Sequence, residues 1–375
     1  MSRASRYWLT LTTIVALGLL PAVAIFVIFQ NVAVHDGKVT DFENVFLVAA
    51  EAVLEGENPY PGPDAAVVSL GKAFVYPPLT AFAVAPLTFV STQASALAAM
   101  ALLALAVIAT LWVLGVRDWR CYGIAFLWSP VLSAIQTGDV TILLGLGAAL
   151  VWRYRDRAGV AGAALGVTLA AKLILWPLAV WLATTRRAIA VVWALAVGAL
   201  AAFVPWAAIG FARLGDYPDL LRGLQDVERS ERSLGYTVYA LSVDFGASSA
   251  LASGLWLAVA VGLVAGVVVL ARSGDDRRAF VFAIAAALAC SPIVWLHYFA
   301  LLLVAVAVAE PRLGPAWFVP LAMYFSTGTH NGTTFQTSIT ILAAATTIVV
   351  ALRPSRWQVS RAVGPRGPIS LERTS

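Results

Sequence analysis

Apolar runs close to the length of a bilayer crossing recur from one end of this 375-residue chain to the other. A helix needs about 20 apolar residues to cross a bilayer, where backbone polar groups are satisfied only in helices or closed barrels. The runs are continuous in Leu, Ala and Val rather than alternating, which favours helices. Only 12% of the residues are charged, against about 25% in soluble proteins. We therefore predict an all-α polytopic membrane protein with about 10–13 membrane segments.

Several of the predicted segments are shorter than a full crossing, which is tolerated where a helix lines a protein cavity. The candidates cover residues 7–29, 75–90, 93–115, 121–135, 139–152, 158–184, 188–210, 249–271, 279–295, 297–309, 315–327 and 336–352. The first could be a signal peptide, but the many spans after it favour an uncleaved helix. With no internal repeat evident, we expect a single domain over residues 1–352 and a disordered basic cytoplasmic tail over 353–375.

The net charge of +5 comes from arginines scattered through short loops, which is typical of helix orientation and not of nucleic-acid binding. Counting these positive charges places both termini and most of the arginine loops in the cytoplasm, with residues 30–74, 211–248 and 328–335 outside. Two regions conflict with this topology. Crossings at 75–90 and 93–115 would leave Arg117 and Arg120 outside, and segment 158–184 has arginine at both ends. Either one of these regions is a pair of half-crossings or the charge rule fails there.

The first outer loop, residues 30–74, contains a predicted amphipathic helix over 41–55 with its apolar residues on one face, lying on the membrane surface. Thr40 and Glu43 have the spacing of a capping box, which starts the helix at Asp41. The second outer stretch, 211–248, mixes both charge signs and is expected to form a short cap over the helices.

Asp41 has two interpretations. A carboxylate in the first turn of a helix stabilises the helix dipole by about 0.3–1 kcal/mol. It also lies where a membrane enzyme could use a general base on a sugar hydroxyl. The helix N-terminus would keep this carboxylate ionised near neutral pH in either case.

Lys172 is the most unusual residue, because a charge inside a membrane segment is costly and marks a function or a buried partner. We expect it to contact a phosphate; the alternative is a snorkelling or ion-paired structural lysine. Tyr60 and Tyr76 are either interfacial aromatic residues or donor-binding residues that contact a sugar.

His297 follows Pro292 between two short segments, and is either a structural histidine or one that binds the donor phosphate or assists proton transfer. Gln136 and Asp139 flank the tip between two half-length helices and are candidate acceptor-binding residues. Cys121 and Cys290 have no ligand-like spacing, so neither a metal site nor a disulfide is predicted. The chain also lacks phosphate-loop and dinucleotide motifs, which disfavours a cytoplasmic nucleotide-sugar donor. A sugar donor that arrives from within the membrane fits better.

Several motifs in order resemble glycosyltransferase family 87, the polyprenol-phosphate-mannose-dependent mannosyltransferases of actinobacteria. The motifs are Thr40-Asp-Phe-Glu-Asn-Val-Phe46, Asn58-Pro-Tyr60, Phe74-Val-Tyr-Pro-Pro-Leu79, Gln136-Thr-Gly-Asp-Val140, Ala170-Ala-Lys-Leu-Ile-Leu-Trp-Pro-Leu178 and Ser291-Pro-Ile-Val-Trp-Leu-His-Tyr298. The family often has Gly-Gln-Val-Asn at the tip and a polar residue before the histidine. This chain has Gly138-Asp-Val-Thr141 and Leu296 at those positions, which leaves the acceptor open.

The resemblance implies a GT-C fold and a plasma-membrane enzyme of the cell envelope with its active site facing outward. It implies inverting transfer of mannose from a polyprenyl-phosphate donor to a glycolipid or lipoglycan acceptor. The catalytic base would be Asp41, and the outer histidine of the family would be His297. No cofactor is required by this scheme, and a metal requirement and the oligomeric state are left open.

Two other functions are compatible with the sequence. The donor could be a polyprenyl-phosphate-linked arabinofuranose, because related enzymes share these motifs. A flippase or transporter for lipid-linked sugars could use the same cavity without chemistry, although transporters commonly carry inverted repeats.

Overall fold

A computed structural model describes residues 3–62, 65–69, 73–230, 235–326 and 333–353 of the chain. All regular secondary structure of these residues is helical, which confirms the predicted polytopic helix bundle. The α-helices are α1 (Arg3–Ile14), α2 (Leu20–Val34), α3 (Val48–Leu54), α4 (Ala66–Ser69), α5 (Leu79–Val84), α6 (Thr92–Val113), α7 (Trp119–Ala125), α8 (Ser129–Thr137), α9 (Thr141–Arg153), α10 (Ala158–Ala171), α11 (Pro177–Thr184), α12 (Ala188–Ala208), α13 (Tyr217–Ser230), α14 (Val238–Asp244), α15 (Ser249–Arg272), α16 (Asp276–Cys290), α17 (Leu302–Ala309) and α18 (Thr334–Ala351).

Short segments of other helical types join several of these helices. They are π-helices at Val15–Leu19 and Phe42–Leu47 and 3-10 helices at Ala85–Phe89, Leu173–Leu175, Leu296–Leu301, Pro315–Trp317 and Val319–Ser326. The predicted tail after Arg353 lies outside the described residues.

Among the described residues, five helices are long and apolar enough to cross a membrane: Ser5–Val34, Thr92–Val113, Ala188–Ala208, Ser249–Arg272 and Thr334–Ala351. A sixth candidate is the pair α8 and α9, which is bent by 118° at its break. Shorter apolar helices account for further predicted segments, so the expectation of half-length elements agrees with the structure.

The predicted crossing at 75–90 is wrong. The side-chain amide of Gln93, at the start of α6, donates hydrogen bonds of 3.0 and 3.1 Å to the carbonyls of Val32 and Ala33. The chain therefore returns to the end of α2 before α6 begins. Pro86 and the short 3-10 turn that contains it fit a segment that turns back. Helix α6 spans 22 residues, about 33 Å, so Arg117 lies at the end of the bundle opposite Gln93. This placement removes the first conflict with the distribution of positive charges.

The second conflict is explained by a break at Lys172. This residue has extended backbone dihedrals between α10 and the Leu173–Leu175 turn, so the predicted segment 158–184 is two half-length helices. The start of α10 and the end of α11 lie close together, because Arg155 and Arg187 each pair with Asp276, at 3.0 and 2.9 Å. We call this region, residues 154–157, 185–187 and 273–278, the arginine end.

Small residues allow α10 to pack closely on α12. A Cβ atom added at Gly162 would lie 2.4 Å from the Ala190 carbonyl oxygen, and one at Gly166 would lie 2.6 Å from that of Ala194. Small residues four apart let membrane helices approach at backbone distance, where packing replaces the hydrophobic effect. This contact fixes the end of α10, and with it the position of Lys172.

The helix of the first outer loop begins earlier than predicted. Thr40 is already helical, and the Glu43 carboxylate accepts a 2.8 Å hydrogen bond from the backbone N–H of Val39. The predicted capping box between Thr40 and Glu43 is therefore wrong, because Glu43 caps the residue before Thr40. The helix ends at Leu54, Glu55 is its C-cap, and Gly56 follows with a φ of +77°, as is common after a helix end.

The apolar face of this loop helix packs against protein instead of lying on the membrane surface. Phe42 and Phe46 are buried, and the Phe46 ring lies 4.7 Å from the ring of Tyr76, centroid to centroid. The expected apolar face is correct, but its partner is the bundle. The loop helix is thereby fixed over one end of α8 and α9.

Candidate active site

The turn between α8 and α9 brings the first outer loop to the centre of the bundle. Gly138 ends α8 in the left-handed conformation, with a φ of +77°. A Cβ atom at Gly138 would lie 2.5 Å from Cβ of Phe42 and 2.7 Å from Cγ1 of Val39. Only glycine permits both this backbone conformation and this close approach, so Gly138 sets the distance between Asp41 and Asp139.

Asp139 is completely buried immediately after this glycine. One carboxylate oxygen, Oδ1, accepts hydrogen bonds from the backbone N–H of Thr141, at 2.7 Å, and from the Thr141 hydroxyl. The other oxygen, Oδ2, lies 3.2 Å from the Tyr76 hydroxyl, which donates to it. Asp139 was predicted to contact the acceptor, but the structure directs its carboxylate into the protein.

Two basic side chains also approach Oδ2 of Asp139. Lys172 Nζ lies 3.7 Å from this oxygen and His297 Nε2 lies 3.4 Å from it. The imidazole nitrogen is buried and makes no hydrogen bond with any described residue. One carboxylate oxygen therefore faces a phenol, an ammonium and an imidazole that come from three separate parts of the chain.

Lys172 does not snorkel to the end of a helix. Its ammonium lies 3.9 Å from the centroid of the Tyr298 ring and 4.9 Å from that of Tyr76, and 3.4 Å from the Tyr76 hydroxyl. Its side chain is 16% exposed. Cation–π contacts and the Asp139 carboxylate compensate the charge, while the exposed part lies at the wall of a cavity.

Asp41 completes the cluster. One side-chain oxygen of Asp41, one of Asp139 and a ring nitrogen of His297 all lie within 4.8 Å of one another. Burial raises the pKa of the Asp41 carboxyl above its ordinary value. The nearby side chains of His297 and Lys172 oppose this shift, and the negative charge of Asp139 adds to it. The Asp41 side chain makes no capping hydrogen bond at the start of the π-helical segment Phe42–Leu47.

The three side chains have the ligand types of a divalent-cation site, two carboxylates and an imidazole. However, the oxygens of Asp139 already face Thr141, Tyr76 and Lys172, so a cation would compete with the ammonium for the same oxygen. The arrangement as it stands is an ion-pair network.

A cavity of 420 Å³ opens beside this network. Asp41, Tyr76 and Lys172 belong to the polar part of its wall, and residues from the α10–α11 break, α13 and the end of α16 form an apolar part. The apolar lining includes Leu173, Ile174, Trp176, Leu221, Leu224, Ala287, Pro292 and Ile293. Such a cavity can hold a ligand that combines a charged or sugar headgroup with a hydrocarbon chain.

Tyr60 and Gln136 lie apart from this cavity, and neither belongs to its described lining. Tyr60 is buried, stacks on Trp206 with ring centroids 4.9 Å apart, and donates a 2.8 Å hydrogen bond to the backbone carbonyl of Tyr76. It supports the backbone of the cavity-lining Tyr76 from behind. Gln136 is exposed on α8.

Three residues of the site were not singled out in the sequence. Thr141 holds Asp139, Tyr298 faces Lys172, and Tyr217 in the second outer stretch donates a 2.7 Å hydrogen bond to the Val75 carbonyl. Tyr298 could have been found from its place beside His297 in a motif. Tyr217 and Thr141 carry no signal that distinguishes them from ordinary polar residues of a loop or helix end.

The family model of glycosyltransferase family 87 matches residues 74–296, more than half of the chain. The chain belongs to glycosyltransferase family 87. The match includes Tyr76, Asp139 and Lys172, whereas Asp41 lies before it and His297 directly after it. Searches of curated proteins and of solved structures found no match. This family 87 member is therefore a membrane glycosyltransferase. A glycosyltransferase embedded in the membrane implies lipid-linked substrates.

Proposed function

We propose that this family 87 glycosyltransferase transfers mannose, with inversion, from polyprenyl-phosphate-mannose to a glycolipid or lipoglycan acceptor on the outer face of the plasma membrane. The observation that carries the proposal is one cavity wall that joins the Asp41 carboxylate and the Lys172 ammonium to a long apolar surface. A lipid phosphodiester sugar has the same three parts: a hydrocarbon chain, a negative charge and a hydroxyl-rich ring.

Lys172 is the proposed phosphate contact. Its ammonium is fixed by Tyr298 and Asp139 and is partly exposed to the cavity. As the bond between the sugar C1 and the phosphate oxygen breaks, negative charge grows on the phosphate. A fixed cation beside that oxygen stabilises the growing charge more than it stabilises the intact donor.

Asp41 is the proposed general base. The acceptor hydroxyl oxygen forms a bond to C1, its proton passes to the Asp41 carboxylate, and polyprenyl phosphate leaves with the electron pair of the broken bond. Attack on the face opposite the leaving group inverts a β-linked donor to an α-linked product, as in inverting glycosidases. A half-buried carboxylate with a raised pKa is a stronger base than an exposed one once it is ionised.

His297 lies within reach of both carboxylates. In its protonated form it would help hold Asp41 ionised, and in its neutral form it could take the proton onward. Its proposed role is therefore in proton transfer next to Asp41, with no direct bond to the sugar.

The topology proposed for this reaction places the arginine end in the cytoplasm and the cavity toward the outer half of the membrane. Both termini would then lie in the cytoplasm. A lipid-linked donor reaches such a cavity from the bilayer without a soluble nucleotide-sugar domain.

The test uses purified protein in lipid nanodiscs with a glycolipid acceptor extract and two radiolabelled donors, polyprenyl-phosphate-mannose and polyprenyl-phosphate-arabinofuranose. The proposal requires a mannosylated lipid product that an α-mannosidase cleaves. Transfer of arabinose alone would establish the alternative donor. Movement of intact lipid-linked sugar across the membrane without a new glycosidic bond would establish a flippase.

A further inference from the structure

Asp139 is the most enclosed charged group of the candidate active site. It is completely buried, and the described lining of the cavity does not include it. Its carboxylate therefore reaches the cavity only through the residues that line it.

The carboxylate instead joins four parts of the chain. It accepts hydrogen bonds from Thr141 at the start of α9 and from Tyr76, which directly follows the first outer loop. It also faces Lys172 at the break between α10 and α11, and His297 at the start of a 3-10 helix. Two of these partners, Tyr76 and Lys172, form the polar wall of the cavity.

A buried ammonium needs a fixed negative partner. Breaking a buried ion pair by removing one member is strongly destabilising, because the remaining charge is left without compensation. Lys172 keeps its ammonium at the cavity wall only while Asp139 and the Tyr298 ring face it. Without the carboxylate, the ammonium would be drawn to another position or lose its proton.

We infer that Asp139 is a positioning residue, which holds the Lys172 ammonium and the Tyr76 hydroxyl at the cavity wall where the donor phosphate binds. This inference rests on the proposed function. It replaces the role of acceptor contact that the sequence predicted for Asp139.

A simpler role for Asp139 predicts the opposite result. If the carboxylate were only a negative charge near an anionic donor, it would repel the phosphate, and neutralising it would tighten donor binding. If it positions Lys172, neutralising it weakens donor binding. Asp139→Asn keeps the shape of the side chain and removes the charge, so the sign of the change separates the two roles.

The experiment compares wild type, Asp139→Asn and Lys172→Met in nanodiscs. Binding of polyprenyl phosphate is followed by the fluorescence of tryptophans at the cavity, such as Trp176 and Trp295. We expect Asp139→Asn to raise the dissociation constant at least tenfold and to raise the donor KM by a similar factor. An unchanged or lower dissociation constant would overturn the inference.

Asp118→Asn is the matched control for loss of stability. Asp118 is a half-buried aspartate that also pairs with a basic side chain, Arg120, at 2.8 Å, but it lies near the other end of the bundle. This variant should lower the melting temperature without changing the affinity for polyprenyl phosphate. If Asp118→Asn weakens lipid binding as much as Asp139→Asn does, the effect is one of folding and the inference fails.

The double variant Asp139→Asn with Lys172→Met provides a second measurement. If Asp139 acts through Lys172, the double variant should bind polyprenyl phosphate no more than about threefold more weakly than Lys172→Met alone. Independent, additive losses would contradict the inference. Because lipid binding is measured without sugar transfer, wild-type protein that binds polyprenyl phosphate but transfers no sugar would refute the proposed function and leave this comparison intact.

Discussion

The ammonium group of Lys172 lies 3.9 Å from the centroid of the Tyr298 ring. The contact joins the break between α10 and α11 to the 3-10 helix that carries His297. Because the ring face compensates part of the charge, the lysine can remain inside the bundle while its exposed part faces the cavity.

Replacing Tyr298 tests this contact. Tyr298→Phe keeps the ring face and should change the donor KM less than about twofold, whereas Tyr298→Leu removes a cation–π contact of about 0.5–2 kcal/mol. Steady-state kinetics with varied donor should show a several-fold rise in KM for the leucine variant. Equal effects of the two substitutions would mean that the hydroxyl matters and the ring face does not.

The pH dependence of transfer tests Asp41 as the base. The base is active when ionised, so activity should be present above its pKa and should fall as the pH drops through it. Because burial raises this pKa, the acid limb of kcat/KM should have its midpoint above the value of about 3.9 for a free aspartate.

Lys172→Met supplies the check on this pH profile. The lysine charge lowers the pKa of Asp41, so its removal should move the acid limb to higher pH. If the acid limb shifted to lower pH, or lay at the same pH in both proteins, Asp41 would not be the group that titrates.

Gly138→Ala should separate the tip from the first outer loop. The new methyl group would meet Phe42 and Val39, and the left-handed backbone adds a strain of about 1–2 kcal/mol. We expect both a lower melting temperature and at least a tenfold loss of transfer activity. Gly56→Ala is the matched control, since Gly56 has the same φ of +77° with no atom within 4 Å of the added Cβ. It should lower stability without reducing transfer comparably; equal losses of activity would argue against the close approach at Gly138.

The topology can be tested by cysteine labelling after Cys121 and Cys290 are replaced by serine. Arg117→Cys and Arg186→Cys should react with a membrane-impermeant maleimide only after the cytoplasmic side is opened. Asp36→Cys should react in intact cells. Labelling of position 117 in intact cells would show that residues 75–90 cross the membrane after all.

The sequence was sufficient for the fold class, and it named several of the side chains that the structure brings together. The cost of a charge in an apolar segment singled out Lys172, and the motif order pointed to Asp41 and His297. Their convergence was not predictable, because it depends on the left-handed Gly138, on the break at Lys172 and on contacts between distant segments.

The errors have physical causes as well. Hydrophobicity alone does not tell whether a segment crosses or turns back, whereas the contact of Gln93 with α2 shows that 75–90 turns back. Capping spacing fits more than one start residue, and the loop helix begins one residue before the predicted start. Asp139 lies at the tip between two half-length helices, where the sequence predicts contact with the acceptor. In the structure its side chain is completely buried.

The central claim is that Asp41 is the catalytic base of a sugar transfer, and the most direct measurement is the transfer rate of Asp41→Asn with saturating donor and acceptor. A general base contributes about 10²–10⁴-fold, so transfer should fall at least a hundredfold while binding of polyprenyl phosphate is retained. Asp36→Asn, an exposed aspartate of the same loop, should transfer at the wild-type rate. Full sugar transfer by Asp41→Asn would contradict the account.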